Sequence, residues 1–288
     1  MESKLAQIYS QDELIALKES FEKPKNICVF LNFLKADEDL IEAEFKDLKY
    51  QKLNHFCYLF KAEDKGILSR MKAFNEGHFY IQNYASYLCA KNLNAKANES
   101  VLDMCAAPGG KSINLANFMQ NQGYLACVEA NKERFFTLQK NLKNYNVKAK
   151  IFLKDSKSIG HLCPLKFDKI LLDAPCSTLA KTGFENAKSL KEIKKLSLLQ
   201  KKLLHSALKA LKHGGELVYS TCTFLREENE EVLENALNSE FELEFLELDL
   251  EGVRAKEAKS DFKELSKARR ILPCENYDGF FIAKMRKI

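Results

Sequence analysis

The sequence predicts an α/β fold: a doubly wound, mostly parallel sheet preceded by a small α+β module. Three observations lead there. First, apolar β-branched runs alternate with helical patterns from about residue 79 onward, the order that builds parallel sheets. Second, six reactive or charged residues, Cys105, Glu129, Asp155, Asp173, Cys176 and Cys222, fall at or just past the ends of those runs, where open α/β sheets gather their ligands. Third, residues 1–78 differ in character and suit a separate module.

In that first segment an opening helical stretch is followed by the strand-like run ICVFLNFL, the helical run DEDLIEAEFKDL and a second apolar run, FCYLF. A boundary is expected near residues 75–77, leaving 79–288 as the second domain. There SVLDMCA, GYLACVEA, KAKIFLKD, KFDKILLDAPC, GGELVYSTC, FELEFLEL and GFFIAKM read as seven strands. Helices are expected over KSINLANFMQ, KERFFTLQKNLKNY, about Leu190 to Lys212, and REENEEVLENAL.

Composition narrows the function classes. Hydrophobic residues make up 46% of 288, ample for a packed core, yet no run approaches the ~18 uncharged apolar residues that span a bilayer. The opening MESKLAQIYSQDEL has no apolar signal core, so a soluble chain of the cytoplasm, without a membrane partner, is expected. The nine cysteines include no C-x-x-C pair, and an odd number does not make a complete disulfide framework, so no metal is expected. Cys28, Cys57, Cys89, Cys127 and Cys163 read as small buried hydrophobes. With no obvious dimerisation element, a monomer is expected. Net charge is +5, unevenly spread. Lys181–Gly215 holds nine Lys and two Glu; Arg226–Gly252 holds one Arg against ten Glu and one Asp. The Lys block reads either as the solvated face of an amphipathic helix, with Leu190, Ile193, Leu196, Leu199, Leu203, Leu204 and Leu208 inside, or as a face that meets phosphates.

VLDMCAAPGGKS carries a strand into a small-residue turn and then a helix. Small residues let backbone approach a ligand, and a helix N-terminus offers free N–H groups. The turn is neither G-x-G-x-x-G nor a phosphate loop. Glu129, ending the next strand, suits the two hydroxyls of a ribose, and Asp155, ending the third, an adenine amino group. Ribose and adenine sites without a pyrophosphate grip favour S-adenosylmethionine over NAD.

VLDMCAAPGGKS, DAPCS and YSTCTF together resemble, in order and spacing, the motifs of the RNA cytosine-5 methyltransferases of the NOL1/NOP2/Sun family. GHFYIQNYASYL, GGELVYSTCTFLREENEEV and ILPCENYDGFFIAKM extend the likeness, and NFLKADEDLIEAEFKDL resembles the family's RNA-binding module. The resemblance implies a class I S-adenosylmethionine-dependent methyltransferase, Rossmann-like with a seven-stranded, mostly parallel sheet, acting on rRNA or tRNA. It implies that Cys222 attacks the base, that Asp173 contacts it and that Cys176 assists release. It implies a cofactor site of Cys105, Ala106, Ala107, Pro108, Gly109, Gly110, Lys111, Glu129, Arg134, Asp155 and Asp173. The chain departs from the family in the stretch TLAKTGFENAKSLKEI, and Phe30, Asn83 and Cys274 stand where Arg, Asp and His are common. A non-catalytic RNA-binding or ribosome-assembly factor that keeps the fold is the competing reading; two intact cysteines speak against it.

Overall fold

The computed structural model describes residues 2–288, with side chains from Lys4 onward. Two sheets form. The small one has the order β2-β3-β1-β4, with β1 Ile27–Leu31, β2 Tyr50–Lys52, β3 Cys57–Phe60 and β4 Phe79–Ile81, all antiparallel. Because side chains alternate along a strand, β1 serves two cores. Val29 and Leu31 meet Ile41 of the Glu38–Glu44 helix and Phe45, while Cys28 and Phe30 face the larger domain. The fourth strand, Phe79–Ile81, lies beyond residue 78.

The large sheet has nine strands: β5 Ser100–Asp103, β6 Tyr124–Glu129, β7 Lys150–Leu153, β8 Phe167–Asp173, β9 Leu211–Thr221, β10 Leu243–Leu246, β11 Ala255–Glu257, β12 Arg269–Ile271 and β13 Phe280–Lys287. The seven expected strands run β7-β6-β5-β8-β9-β13-β10, parallel from β7 to β9, with β13 antiparallel between β9 and β10. Two strands are additional. β10 covers only the second half of β13, so β12, itself paired with β11, fills the first half. Apolar cores cover both faces of this sheet.

The Leu190–Ala210 helix is amphipathic as expected and starts with a capping box, Ser189 with Glu192. Leu190, expected inside, is 63% exposed, because the first helical turn precedes the packed face. Among the described residues none of Lys191, Lys194, Lys195, Lys201 or Lys202 is ion-paired, and all but Lys201 are fully on the exposed face. Cys28, Cys57, Cys89 and Cys127 are buried as expected; Cys163 is half-buried. None of the described helices is long and apolar enough to cross a membrane.

The Gln11–Glu22 helix, grouped in the sequence with the small module, packs elsewhere. Leu5, Ile8, Tyr9 and Leu17 form a cluster with Leu179, Ala180, Ile193, Phe224 and Leu225, and Phe21 stands edge-on to Phe184 at 5.4 Å. Tyr9 stands edge-on to Phe224 at 5.9 Å. Behind this cluster Arg270 of β12 and Glu230 form a bidentate ion pair, both side chains 0% exposed. Removing one partner strands a charge away from water. Arg270→Leu is therefore expected to destabilise the fold by about 3–5 kcal/mol, seen as a lower urea midpoint at unchanged slope. A loss below about 1 kcal/mol would mean the pair is not dry.

Candidate active site

Parallel strands bring their carboxyl ends to one rim, and a cleft of ≈ 580 Å³ opens there, within the size range of ligand sites. Every residue expected in the site except Gly109 lines it. Gly109 instead holds the turn: its φ is +113°, a conformation side chains rarely adopt. The Ala107–Pro108 peptide is cis. The Lys132–Asn144 helix braces this turn, since Arg134 Nη2 donates to Ala107 O at 2.6 Å and Asn141 Nδ2 to Pro108 O at 2.8 Å. At Gly110 a Cβ would lie 2.7 Å from Tyr80 Cε1, so any side chain there would force the Tyr80 ring to move.

At the β6 end, Glu129 is 5% exposed. Its Oε1 accepts from Asn131 N at 2.8 Å, while Oε2 has no hydrogen-bond donor and lies 3.6 Å from Arg134 Nη1. Arg134 thus steadies both the turn and the acid. A buried carboxylate oxygen left without a donor in a cleft fits a ligand hydroxyl. Asp155 is exposed, caps the turn after β7 by accepting from Lys157 N at 3.0 Å, and is held below the usual carboxylate range: burial opposes this, but the bonds from Lys157 outweigh it. Cys105 is pushed well up by burial, which keeps it a neutral thiol. Gly-tight backbone, an orphaned acid and an open edge at Asp155 fit S-adenosylmethionine at this end.

The other end carries different chemistry. Asp173 ends β8; its Oδ2 accepts from Lys111 Nζ at 2.7 Å and its Oδ1 from Ser220 Oγ at 2.8 Å. Lys111 also donates to Ser86 Oγ at 2.6 Å and sits 5.2 Å from the centre of the Phe280 ring. Burial pulls the Lys111 ammonium down, yet Asp173 beside it holds it above the ordinary lysine value. Cys176, three residues past Asp173, and Cys222, just past β9, bring their Sγ atoms to 3.4 Å. The Cys222 thiol is lowered, first by the hydrogen bond from Cys176, then by Lys181 and Lys111, against burial. Cys176 is raised by that same bond and by burial. The contact therefore favours the proton on Cys176 and eases ionisation of Cys222.

Sequence reasoning missed Ser86, Asp103, Lys181 and Ser220. Asp103 ends β5 as Glu129 ends β6, so the rule that found one could have found the other. Ser86 and Ser220 carry no pattern; their roles come from packing beside Lys111 and Asp173. Asp103 is 1% exposed, accepts from Ser112 Oγ at 2.6 Å and is pushed up to about 6, chiefly by burial. Below about pH 3.8 folded and unfolded chains both hold this proton. Between there and about 6 only the unfolded chain releases it, so the fold loses stability as pH rises, by about 3 kcal/mol in all. Asp103→Asn removes this loss. Its urea-derived stability relative to wild type is expected to climb by about 2 kcal/mol from pH 4 to 6.5 and then level; a difference flat across that range would show a normal carboxyl.

Comparisons with known proteins agree with this architecture. Residues 90–286 match the family model described as 16S rRNA methyltransferase RsmB/F. The tRNA (cytosine(72)-C(5))-methyltransferase of Pyrococcus horikoshii is 35% identical over 224 residues, covering 77% of this chain and 55% of that protein. The 28S rRNA (cytosine-C(5))-methyltransferase of Mus musculus is 33% identical, covering 99% of this chain and 38% of that protein. The chain spans about half the length of the curated relatives it matches. A crystal structure described as a methyltransferase homolog from Pyrococcus horikoshii superposes with a TM-score of 0.82 at 33% identity, covering 99% of this chain and 98% of that one.

Proposed function

The chain belongs to the RsmB/F methyltransferase family, and we propose that it methylates C5 of cytosine in RNA through a covalent bond between Cys222 and C6 of the base. The observation that carries this is the contacting thiol pair, 3.4 Å apart and beside Asp173, at the open end of a cofactor-type cleft. Bound S-adenosylmethionine supplies an electrophilic methyl group. The chain must supply the rest, because C5 of cytosine is a poor nucleophile. Cys222 adds to C6, forming an S–C bond and pushing the electron pair of the C5–C6 bond toward C5 and N3. C5 is then nucleophilic. Asp173, fixed between Lys111 and Ser220, takes the edge of the ring, and the Lys111 ammonium offsets the charge that builds there. Once C5 carries its methyl, a base removes the C5 proton, the double bond re-forms and Cys222 leaves as thiolate. Cys176, hydrogen-bonded to that sulfur, assists this departure.

The substrate reading is RNA, rRNA or tRNA, since the relatives are named for both. The base must leave its stack to reach the cleft, which favours single-stranded or loop cytosines. The small module and the lysine face of the Leu190–Ala210 helix, whose Leu199 and Leu203 line the cleft, are the surfaces proposed to hold the RNA.

With 5-fluorocytosine RNA the C5 position carries no removable proton, so the adduct should be trapped. A denaturation-resistant protein–RNA complex is expected that needs S-adenosylmethionine and vanishes in Cys222→Ala. Absence of adduct on total cellular RNA, with the cofactor shown to bind by calorimetry, would overturn the reading and leave a binding factor. On ordinary RNA, Cys176→Ser should accumulate the adduct that wild type resolves. The lysine face has its own readout: Lys191→Gln, Lys195→Gln and Lys202→Gln together should flatten the slope of log K against log salt by about 2. An unchanged slope would remove that face from the RNA path.

A further inference from the structure

Glu228, Asn229 and Glu230 belong to a strongly acidic stretch, yet all three are 0% exposed. Two of the three burials are explained by their partners. Glu230 meets Arg270. Asn229 accepts from Thr221 Oγ1 at 2.6 Å and donates to Thr223 O at 3.0 Å, gripping the residues on either side of Cys222. Glu228 is different. It faces only neutral donors: Ser177 N at 2.9 Å, Ser177 Oγ, and Gln200 Nε2 at 3.0 Å. Among the described residues no Lys, Arg or His is paired with it. Gln200 also donates to Pro175 O at 2.9 Å, and Ser177 Oγ meets Thr223 Oγ1 at 2.8 Å. The carboxylate is therefore bonded to the residue that follows Cys176 and tied to both residues flanking that cysteine.

A buried charge with hydrogen bonds but no counter-ion keeps a long-range field. The Cys176 thiol is raised first by its bond to Cys222 and by burial, and then by the field of Glu228; burial also pushes the Glu228 carboxyl up, against the bonds from Ser177 and Gln200 that favour its charge. Cys222 meets the opposite field: Lys181 from the Leu179–Thr182 turn of helix and Lys111 from the Gly110–Phe118 helix. Asp173 of β8 opposes those two, and Cys89 of the Tyr84–Leu93 helix and Tyr219 of β9 are neutral.

We propose that Glu228 is a positioning residue that decides which of the two contacting thiols keeps the proton, holding Cys176 as the S–H donor and leaving Cys222 free to attack. The two cysteines lie in similar loops at the ends of adjacent strands, and their division of labour comes from what lies behind them. This rests on the reading of Cys222 as the nucleophile, and its test needs neither RNA nor cofactor.

The test is alkylation of the folded full chain with less than one equivalent of iodoacetamide at pH 7, with the carbamidomethylated cysteine identified by peptide mass spectrometry. A thiolate, not a thiol, displaces iodide to form the S–C bond. In wild type, Cys222 is expected to be labelled about tenfold more than Cys176. Glu228→Gln keeps the shape and removes the charge, and should bring the ratio to within about threefold. Glu228→Asp keeps the charge and should restore the preference. Access to the cleft is the same in each, so the change in ratio reports the proton. A wild-type ratio in Glu228→Gln overturns the proposal. Should that variant fail to fold by circular dichroism, Gln200→Lys places a cation against Glu228 and should narrow the ratio in the same sense; an unchanged ratio there overturns it equally. An altered ratio without any 5-fluorocytosine adduct would sustain the role of Glu228 while removing the methylation reading.

Discussion

The register between β8 and β9 is the constraint on which the site depends. The strands run parallel with Asp173 opposite Ser220, and the two residues are hydrogen-bonded through their side chains. From that level each chain leaves the sheet, and three residues on one side and two on the other bring Cys176 to Cys222. A slip of one residue would turn one side chain of the pair to the opposite face of the sheet. Apolar cores on both faces prevent the slip, since Ile170 and Leu172 face one and Leu171 the other. A sheet fixes only the strands, however. Beyond its edge the loops are held by polar groups, and Ala174 N to Ser220 O at 2.9 Å and Ala180 N to Cys222 O at 3.1 Å continue the ladder into them. The loops that carry Cys176 and Cys222 are thus held by backbone pairing carried past the end of the strands.

Much of this was legible in the sequence, for identifiable reasons. The seven strands of the main path carry short apolar or alternating runs, such as YLACV, ILL and FELEF, between helical patterns, and the long helix announces itself by amphipathic spacing. β11 and β12 were not legible. They are three residues each, reading AKE and RRI, and carry no periodic signal. They are strands because β13 leaves half an edge uncovered. At the site, residues at strand ends were readable because topology puts them on one rim. Ser86, Ser220 and Gln200 were not, because their partners are distant in sequence and a lone Ser or Gln in an apolar stretch has no characteristic spacing. The acidic run after Arg226 shows what a charge count does not reveal: Glu228 and Glu230 are inside because Ser177, Gln200 and Arg270, distant in sequence, meet them.

The position of Phe30 accounts for one departure from the family pattern. Where the family commonly has Arg, this ring is fully buried, stacks on Phe56 at 5.5 Å and 3° and meets Phe118 of the larger domain edge-on at 6.3 Å. An arginine there would need acceptors that this aromatic cluster does not offer. At Phe30 the small sheet meets the larger domain through rings, beside hydrogen bonds such as Asn117 Nδ2 to Asn32 Oδ1 at 2.9 Å and Asn54 Nδ2 to Glu251 Oε2 at 2.7 Å.

The Gln11–Glu22 helix has a consequence for the order in which the molecule is made. Its neighbours are Leu179, Ala180, Ile193, Phe224 and Leu225, and Lys4 reaches Glu227, 223 residues away in sequence. The strands of the small sheet, by contrast, all lie between residues 27 and 81 and can pair as soon as they leave the ribosome. At ~5–20 residues per second the opening helix waits roughly ten to forty seconds for its partners to emerge. Throughout that interval its apolar face, Leu14, Leu17 and Phe21, is without a core. A segment made well before its partners is therefore among the last to find its place, and the loop that carries Cys222 acquires its backing only when that segment docks.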